Sequence, residues 1–185
     1  MSLAHAVPAA LGPHTVSEWH EMPQPGNGRR LELLAGWLIM SPAPTRRHQR
    51  IGDLVRTVLE DTFPENLAVT AAAVDVSTPR RDGLIPDVML MTHDTDDDPA
   101  RAEDVLLVVE VWSDGNTARE RVEKRHAYAT AGIPFLWEIT FDATTAELVG
   151  QRNDHGRWLE LDRLPLGPDP IAVTAAPKPL TLALT

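Results

Sequence analysis

Two periods of hydrophobicity run through the chain, one near 3.6 residues and one near 2. The helical period is clearest after the segment SPAPT. Ile51, Leu54, Val55, Val58 and Leu59 fall at i, i+3, i+4, i+7 and i+8, and Pro64 stops the run. Two further helices are marked by their caps: Thr15 with Glu18, and Thr117 with Glu120, are T-x-x-E capping boxes, and the later helix closes at Gly132 with Pro134 just beyond. Strand signals fill the intervals. Leu31–Leu34 and Trp37–Met40 alternate around Gly36 and predict a hairpin. Residues 67–77 read as a strand, 78–83 as a turn and 84–91 as a second strand with a proline near its start. An acidic loop over 93–104 leads into the apolar run Val105–Trp112. Residues 133–141 predict another strand, and 146–164 a hairpin turning at Asn153–Gly156. The order helix, hairpin, helix, three strands, helix, strand, hairpin predicts one α/β (α+β) domain, a mixed sheet flanked by helices. Residues 1–14 read as a flexible leader, 15–163 as the domain, and 164–185 as a Pro-rich tail with room for one edge strand.

One residue breaks the pattern. Glu110 lies near the end of the run VLLVVEVW, where an unpartnered carboxylate is costly. Asp87 follows Pro86 at the start of the neighbouring strand PDVMLM. If the two strands pair antiparallel, start meets end, and the two carboxylates converge at one edge of the sheet. Close carboxylates repel, and a divalent oxygen-seeking ion such as Mg²⁺ or Mn²⁺ relieves the repulsion. Lys124, about two turns into the helix that leaves the Glu110 strand, is within reach of the same edge and could orient a water or balance charge on phosphate. Each residue also has an ordinary reading. Asp87 alone suits a solvated strand end, and Lys124 suits a helix ion pair with Glu120.

Composition narrows the chemistry. The chain carries no cysteine, which excludes disulfides, thiolate metal sites and cysteine nucleophiles and fits a cytoplasmic protein. Its histidines form no HxH or HxxxH pair, so a zinc site is not expected. Ser113 has no histidine placed to activate it, and the glycines form no phosphate-cradling loop. No apolar run reaches the ~20 residues a membrane span needs. The net charge of −10 opposes unassisted binding to bulk nucleic acid, yet it is unevenly spread. Residues 29–56 are net basic, with Arg46, Arg47, His48, Gln49 and Arg50 together at the start of the main helix, and ERVEKR at 120–125 is a second basic cluster. Either could face a polyanion or simply be a solvated helix face. Tyr128, Phe135 and Trp137 read as core.

The segments LELLAGWLIMSPAPTRRHQRI, IPDVMLM, VVEVWS and EKRHAYATAGIPFLWEI resemble, in order and spacing, the Uma2 family of restriction-endonuclease-like proteins, a branch of the PD-(D/E)XK nucleases. The similarity runs from about Thr15 to the hairpin near residue 160. It implies a restriction-endonuclease-like fold with an N-terminal hairpin, and a Mg²⁺- or Mn²⁺-dependent endonuclease hydrolysing DNA phosphodiester bonds, with Asp87 and Glu110 as ligands. In the superfamily's simplest pattern a lysine stands two residues beyond the second acid, where this chain has Trp112. Family members look similarly altered, with the lysine supplied by the next helix, here Lys124. The aspartate often found four residues before that lysine is Glu120 here. Glu32 matches an early family glutamate, a further candidate metal-site acid, and His48 matches a family histidine with a phosphate-contact or a packing role. Arg46, Arg47 and Arg50 are the matching candidates for phosphate contact, and a homodimer follows by analogy with nucleases that cut both strands. Two rival readings stand beside this one: a catalytically inactive nuclease fold acting as a binding or interaction module, and a hydrolase of small phosphate esters.

Overall fold

In the computed structural model, which describes residues 12–26, 28–76, 81–94 and 97–184, the amphipathic segment forms the longest helix. Thr45 caps it by accepting from the His48 N–H, so it begins at Arg46, one turn before the apolar stripe. The elements in chain order are α1 (Val16–His20), β1 (Arg30–Leu34), β2 (Trp37–Ser41), α2 (Arg46–Thr62), β3 (Leu67–Thr70), β4 (Val74–Asp75), β5 (Gly83–Leu84), β6 (Val88–Met91), β7 (Ala100–Arg101), β8 (Val105–Trp112), α3 (Ala118–Thr130), β9 (Phe135–Phe141), β10 (Ala146–Asp154), β11 (Arg157–Pro165), β12 (Ile171–Val173) and β13 (Leu180–Leu182). Both capping boxes form. Residues 1–11 of the expected leader and 78–80 of the expected turn lie outside the described residues.

A six-stranded sheet in the order β11-β10-β9-β8-β6-β3 is the centre of the domain. Only β8 and β9 in it run parallel, joined by the α3 crossover that a parallel pair requires. Alternation along the strands separates two cores. Val88, Leu90, Leu107, Val109 and Val111 face α2, where Ile51, Val55 and Leu59 meet them. Met89, Val105, Val108 and Leu136 face α3, packing on Ala127 and Tyr128. The smaller sheet, β2-β1-β5-β4-β7, adds Leu34, Val74 and Leu84 to this second core. Its hairpin turns at Ala35 and Gly36, both at positive φ, as a two-residue primed turn demands.

Three expectations are corrected. The strand expected over 67–77 breaks at Ala71, which takes a φ of 51° and separates β3 from β4 in different sheets. The strand expected over 84–91 breaks between Leu84 and Val88 for the same reason of sheet change, and Pro86, without an N–H, sits in the break. The Pro-rich tail after 164 holds two short paired strands where room for one edge strand was expected. β12 and β13 form a hairpin whose Val173, Ala175, Leu180 and Leu182 complete the α2-side core. Asp162 fastens it, accepting from Thr174 N at 2.8 Å, Thr174 Oγ1 at 2.8 Å and Ala175 N at 2.7 Å, and Trp137 Nε1 donates to Ala175 O at 2.6 Å.

Candidate active site

β6 and β8 are antiparallel, with Val88 opposite Val109, so Asp87 lies beside Glu110. The Asp87 N–H extends the ladder to Val109 O at 3.1 Å. The Asp87 carboxylate continues it further, with Oδ2 accepting from Val111 N at 2.7 Å. The start-to-end meeting expected from sequence is therefore present. It occurs at the end of interior strands, since β8 is flanked by both β6 and β9, and not at a lateral edge of the sheet.

Glu110 follows Val108 on the face toward α3, and α3 answers it with residues one turn apart. Lys124 Nζ lies 3.3 Å from Glu110 Oε1, and Tyr128 Oη donates to the same oxygen at 2.6 Å. The 120, 124, 128 spacing sets Glu120, Lys124 and Tyr128 on one helix face. Lys124 also reaches Glu32 Oε1 at 2.9 Å. Glu32 is fully buried, and Ile85 N donates to its Oε1 at 2.8 Å and Ser41 Oγ to its Oε2 at 2.5 Å. Among the sequence candidates, Glu32 thus meets Lys124 directly and meets Asp87 only through the shared cluster. Glu120 stands at its margin, taking Asn116 Nδ2 at 2.9 Å and Ser41 Oγ at 3.3 Å while completing the capping box.

Asp87 is held by basic side chains from two other elements. Arg30 Nη1 lies 2.6 Å from Oδ1, and His48 Nε2 lies 3.2 Å from Oδ2. His48 enters from the first turn of α2, its ring edge-on to Phe141 at 6.3 Å. The other basic residues of that turn do not reach the acids. Arg46, Gln49 and Arg50 are exposed along α2, lining an open groove with Asp53, and Arg47 lies over the Phe141 ring at 5.7 Å and donates to Thr145 O.

Burial and charge push the two central acids in opposite directions. Burial alone raises Asp87, but the hydrogen bond and charge of His48, then Arg30 and the Val111 N–H, outweigh it and hold the carboxyl below its ordinary range. Burial pushes Glu110 up to about 8, with Lys124 opposing and Asp87 and Glu32 adding to the rise. Burial also lowers the Lys124 ammonium, yet Glu110 and Glu32 overcome it and drive Lys124 above its usual value. The Tyr128 phenol is raised by burial and by the same acids, so it stays a donor.

Two participants escaped the sequence reading. Arg30 was legible as half of a basic pair, and its place two residues before Glu32 on one strand puts both side chains on the same face. Tyr128 read as core, and its spacing of four from Lys124 was the available signal. Trp112, where the simplest nuclease pattern has lysine, is buried under Lys124, its ring 5.8 Å from Nζ. Its indole N–H donates to Glu138 Oε1 at 3.0 Å. Glu138, beside Glu110 in the β8–β9 register, is held in turn by Gln151 at 2.6 Å and Arg125 at 3.3 Å.

The cleft bounded by Arg30, His48, Asp87, Glu110, Trp112 and Lys124 holds about 20 Å³ of free space, room for a single ion or water. No group of three or more His, Cys, Asp or Glu side chains among the described residues is arranged to hold a metal ion. The donor chemistry nevertheless suits a hard cation. Glu32, Asp87 and Glu110 are three buried carboxylates beside Arg30 and Lys124, and burial, with Asp87 and Glu32 adding to it, drives Glu110 toward its proton. No described helix is long and apolar enough to cross a membrane.

Comparison with known proteins agrees with this architecture. The fold is similar to the crystal structure of a "putative nuclease belonging to DUF820" from Anabaena variabilis, with a TM-score of 0.63 over 88% of this chain and 90% of that one, at 14% identity. No curated protein matches the sequence. The family model Uma2, described as "Putative restriction endonuclease", matches residues 16–185, a span that includes the C-terminal hairpin as well as the acid cluster. The chain belongs to the Uma2 family.

Proposed function

We propose that the protein is a divalent-metal-dependent endonuclease that hydrolyses DNA phosphodiester bonds at the Asp87–Glu110 pair. The observation that carries the reading is the meeting of these two carboxylates at the ends of β6 and β8, with Lys124 delivered to Glu110 from α3. Family membership and the fold of a nuclease neighbour support it. Asp87 and Glu110 would hold a Mg²⁺ or Mn²⁺ ion. Such an ion supplies an activated water and neutralises charge on the phosphate.

The remaining roles belong to the chain itself. Lys124, fixed by Glu32 and Glu110, presents a positive charge whose position is set before substrate arrives. Tyr128 donates to Glu110 and holds that carboxylate in place. His48 and the Val111 N–H fix Asp87. Arg46 and Arg50, exposed on α2, with Arg47 beside them, would meet the phosphate backbone. Cutting both strands of a duplex requires two such sites, and a homodimer would supply them.

A second reading has its own observation: Asp87 and Glu110 already have protein cations as partners, as an inactive binding module would keep them. Plasmid nicking separates the two. The nuclease reading expects Mn²⁺-dependent nicking that Asp87→Ala and Glu110→Gln both abolish while circular dichroism remains unchanged. Turnover of a model phosphodiester with indifference to DNA and to Arg46→Glu would point to a small phosphate ester instead. Absence of Mn²⁺ binding by calorimetry, with both variants behaving as the parent, defeats every catalytic version.

A further inference from the structure

Arg30 is a residue that the nuclease mechanism above leaves without a task. It is the first residue of β1, paired in register with Ser41, and its guanidinium crosses to the cleft. There Nη1 sits 2.6 Å from Asp87 Oδ1 and donates to Ile85 O at 3.2 Å. The partners of Asp87 differ in how firmly they are tied. Oδ2 is engaged by a backbone N–H and by His48, whose side chain is 11% exposed. Oδ1 is engaged by Arg30, whose side chain is 21% exposed and rooted at the end of a strand. Lys124, the other cation of the site, is 3% exposed and bound to two acids at once.

These contrasts separate a permanent charge from a removable one. Lys124 cannot leave without stranding Glu32 and Glu110 inside the protein. Arg30 can swing outward on a long stem and regain water. A divalent ion seeking Asp87 Oδ1 meets the guanidinium on that oxygen, and the two positive charges repel each other across it.

We propose that Arg30 is a built-in stand-in cation: it neutralises Asp87 while the site holds no metal, and a divalent ion binds by displacing it. Arg30 therefore limits the affinity of the site and, once displaced, is left at the rim of the cleft as a cation for a substrate phosphate. The inference rests on the reading of Asp87 and Glu110 as ion ligands.

The test is calorimetric titration of the full chain with Mn²⁺ alone, without DNA, alongside thermal unfolding with and without the ion. Arg30→Met is expected to bind Mn²⁺ about ten-fold or more tightly than the parent, the equivalent of one charge-assisted hydrogen bond no longer broken on binding. Its ion-free form is expected to melt lower, and its melting temperature to rise more on adding Mn²⁺. Arg30→Gln, which keeps a donor for Asp87 without the charge, carries the same expectation should Arg30→Met fold poorly. Arg30→Lys, which keeps the charge, should stay within about three-fold of the parent. If the parent binds Mn²⁺ and both neutral variants bind it equally or more weakly, the displacement idea is overturned while the two-carboxylate site survives. If neither parent nor variants bind, both ideas fall together.

Discussion

Replacing Lys124 with methionine tests whether the buried charge cluster is organised as described. The substitution keeps the length and most of the volume of the side chain and removes only the ammonium. That ammonium lies 2.9 Å from Glu32 Oε1 and 3.3 Å from Glu110 Oε1, with all three side chains buried. At an effective dielectric near 20, a contact with an ionised carboxylate is worth about 5 kcal/mol before desolvation is subtracted, and Glu110 supplies its share in full only above about pH 8. Returning the ammonium to water recovers several kcal/mol of that sum, which leaves a net loss of about 3–5 kcal/mol for breaking a buried pair from one side. For a chain of this size the loss corresponds to a fall in melting temperature of roughly 6–20 °C. The loss should also grow as pH rises above about 8. Lys124 opposes the rise of Glu110, whose carboxyl already sits at about 8, so without it Glu110 holds its proton to still higher pH. The variant therefore loses stability more steeply than the parent on the alkaline side. Urea unfolding at about pH 7, 8 and 9.5, spanning the value of about 8 at which the parent's decline ends, measures both effects, and a Lys124→Met, Glu110→Gln double variant should regain part of the loss by removing one of the stranded acids. A cost below about 1 kcal/mol at pH 8, or one that stays flat from about pH 8 to 9.5, would refute the buried-cluster account.

Further consequences concern other parts of the molecule. Because Glu110 is raised from 4.5 to about 8 on folding, the native state holds a proton that the unfolded chain releases. Ion-free stability should therefore fall as pH rises between those values, with a contribution of up to about 1.4 kcal/mol per pH unit. Glu110→Gln should flatten this decline in denaturant titrations. The raised Lys124 contributes stability throughout that window, and the lowered Asp87 contributes stability that is lost only as pH falls below its ordinary 3.8, so neither reverses the slope. Trp112→Phe keeps an aromatic ring under Lys124 but removes the donor to Glu138, and should cost about 1–2 kcal/mol in urea unfolding. Asp162→Ala removes three hydrogen bonds to Thr174 and Ala175, and should cost about 2–4 kcal/mol. It should also speed amide exchange in residues 171–182 ahead of global unfolding.

What the sequence made legible was whatever depends on neighbours along the chain. The Thr117–Glu120 box is a contact across three residues, and it formed. The Asp87–Glu110 meeting followed from two adjacent strands pairing antiparallel, which needs only a connection between them. What depends on three elements at once was not legible. Arg30 reaches Asp87 across 57 positions, and although its strand face is shared with Glu32, nothing along the chain says which acid it meets. Glu138 and Gln151 carry no signal of their own along the chain, and it is the β9–β10 pairing that buries them together. The C-terminal hairpin was lost for a different reason: its strands are three residues long and set among prolines, too short for a period to show. Ala71 gave no warning of its positive φ, since alanine carries none of the glycine or asparagine signals that usually mark one.

Trp112 and Lys124 together show how the charge expected on a strand can come from a helix. A lysine two residues after Glu110 would project on the same face of β8 as that acid. In this chain the same face carries the Trp112 ring, and α3 packs across it. The ammonium therefore arrives from above the sheet and not from within it, and it still reaches Glu110. The exchange changes what holds the charge. A strand lysine would be steadied by its own backbone and by one carboxylate. Lys124 is gripped by Glu110 from β8 and Glu32 from β1, with the Trp112 ring beneath it. Trp112 is itself pinned by Glu138, so the network reaches from β1 to β10. In the nuclease proposed above, a charge fixed by that many elements would need little reorganisation when a phosphate arrives, which is the property electrostatic catalysis requires. The same binding makes the lysine part of the fold, so activity and stability cannot be varied separately at this position. Arg30, held by one carboxylate and one carbonyl, is the cation of the site that can move without that penalty.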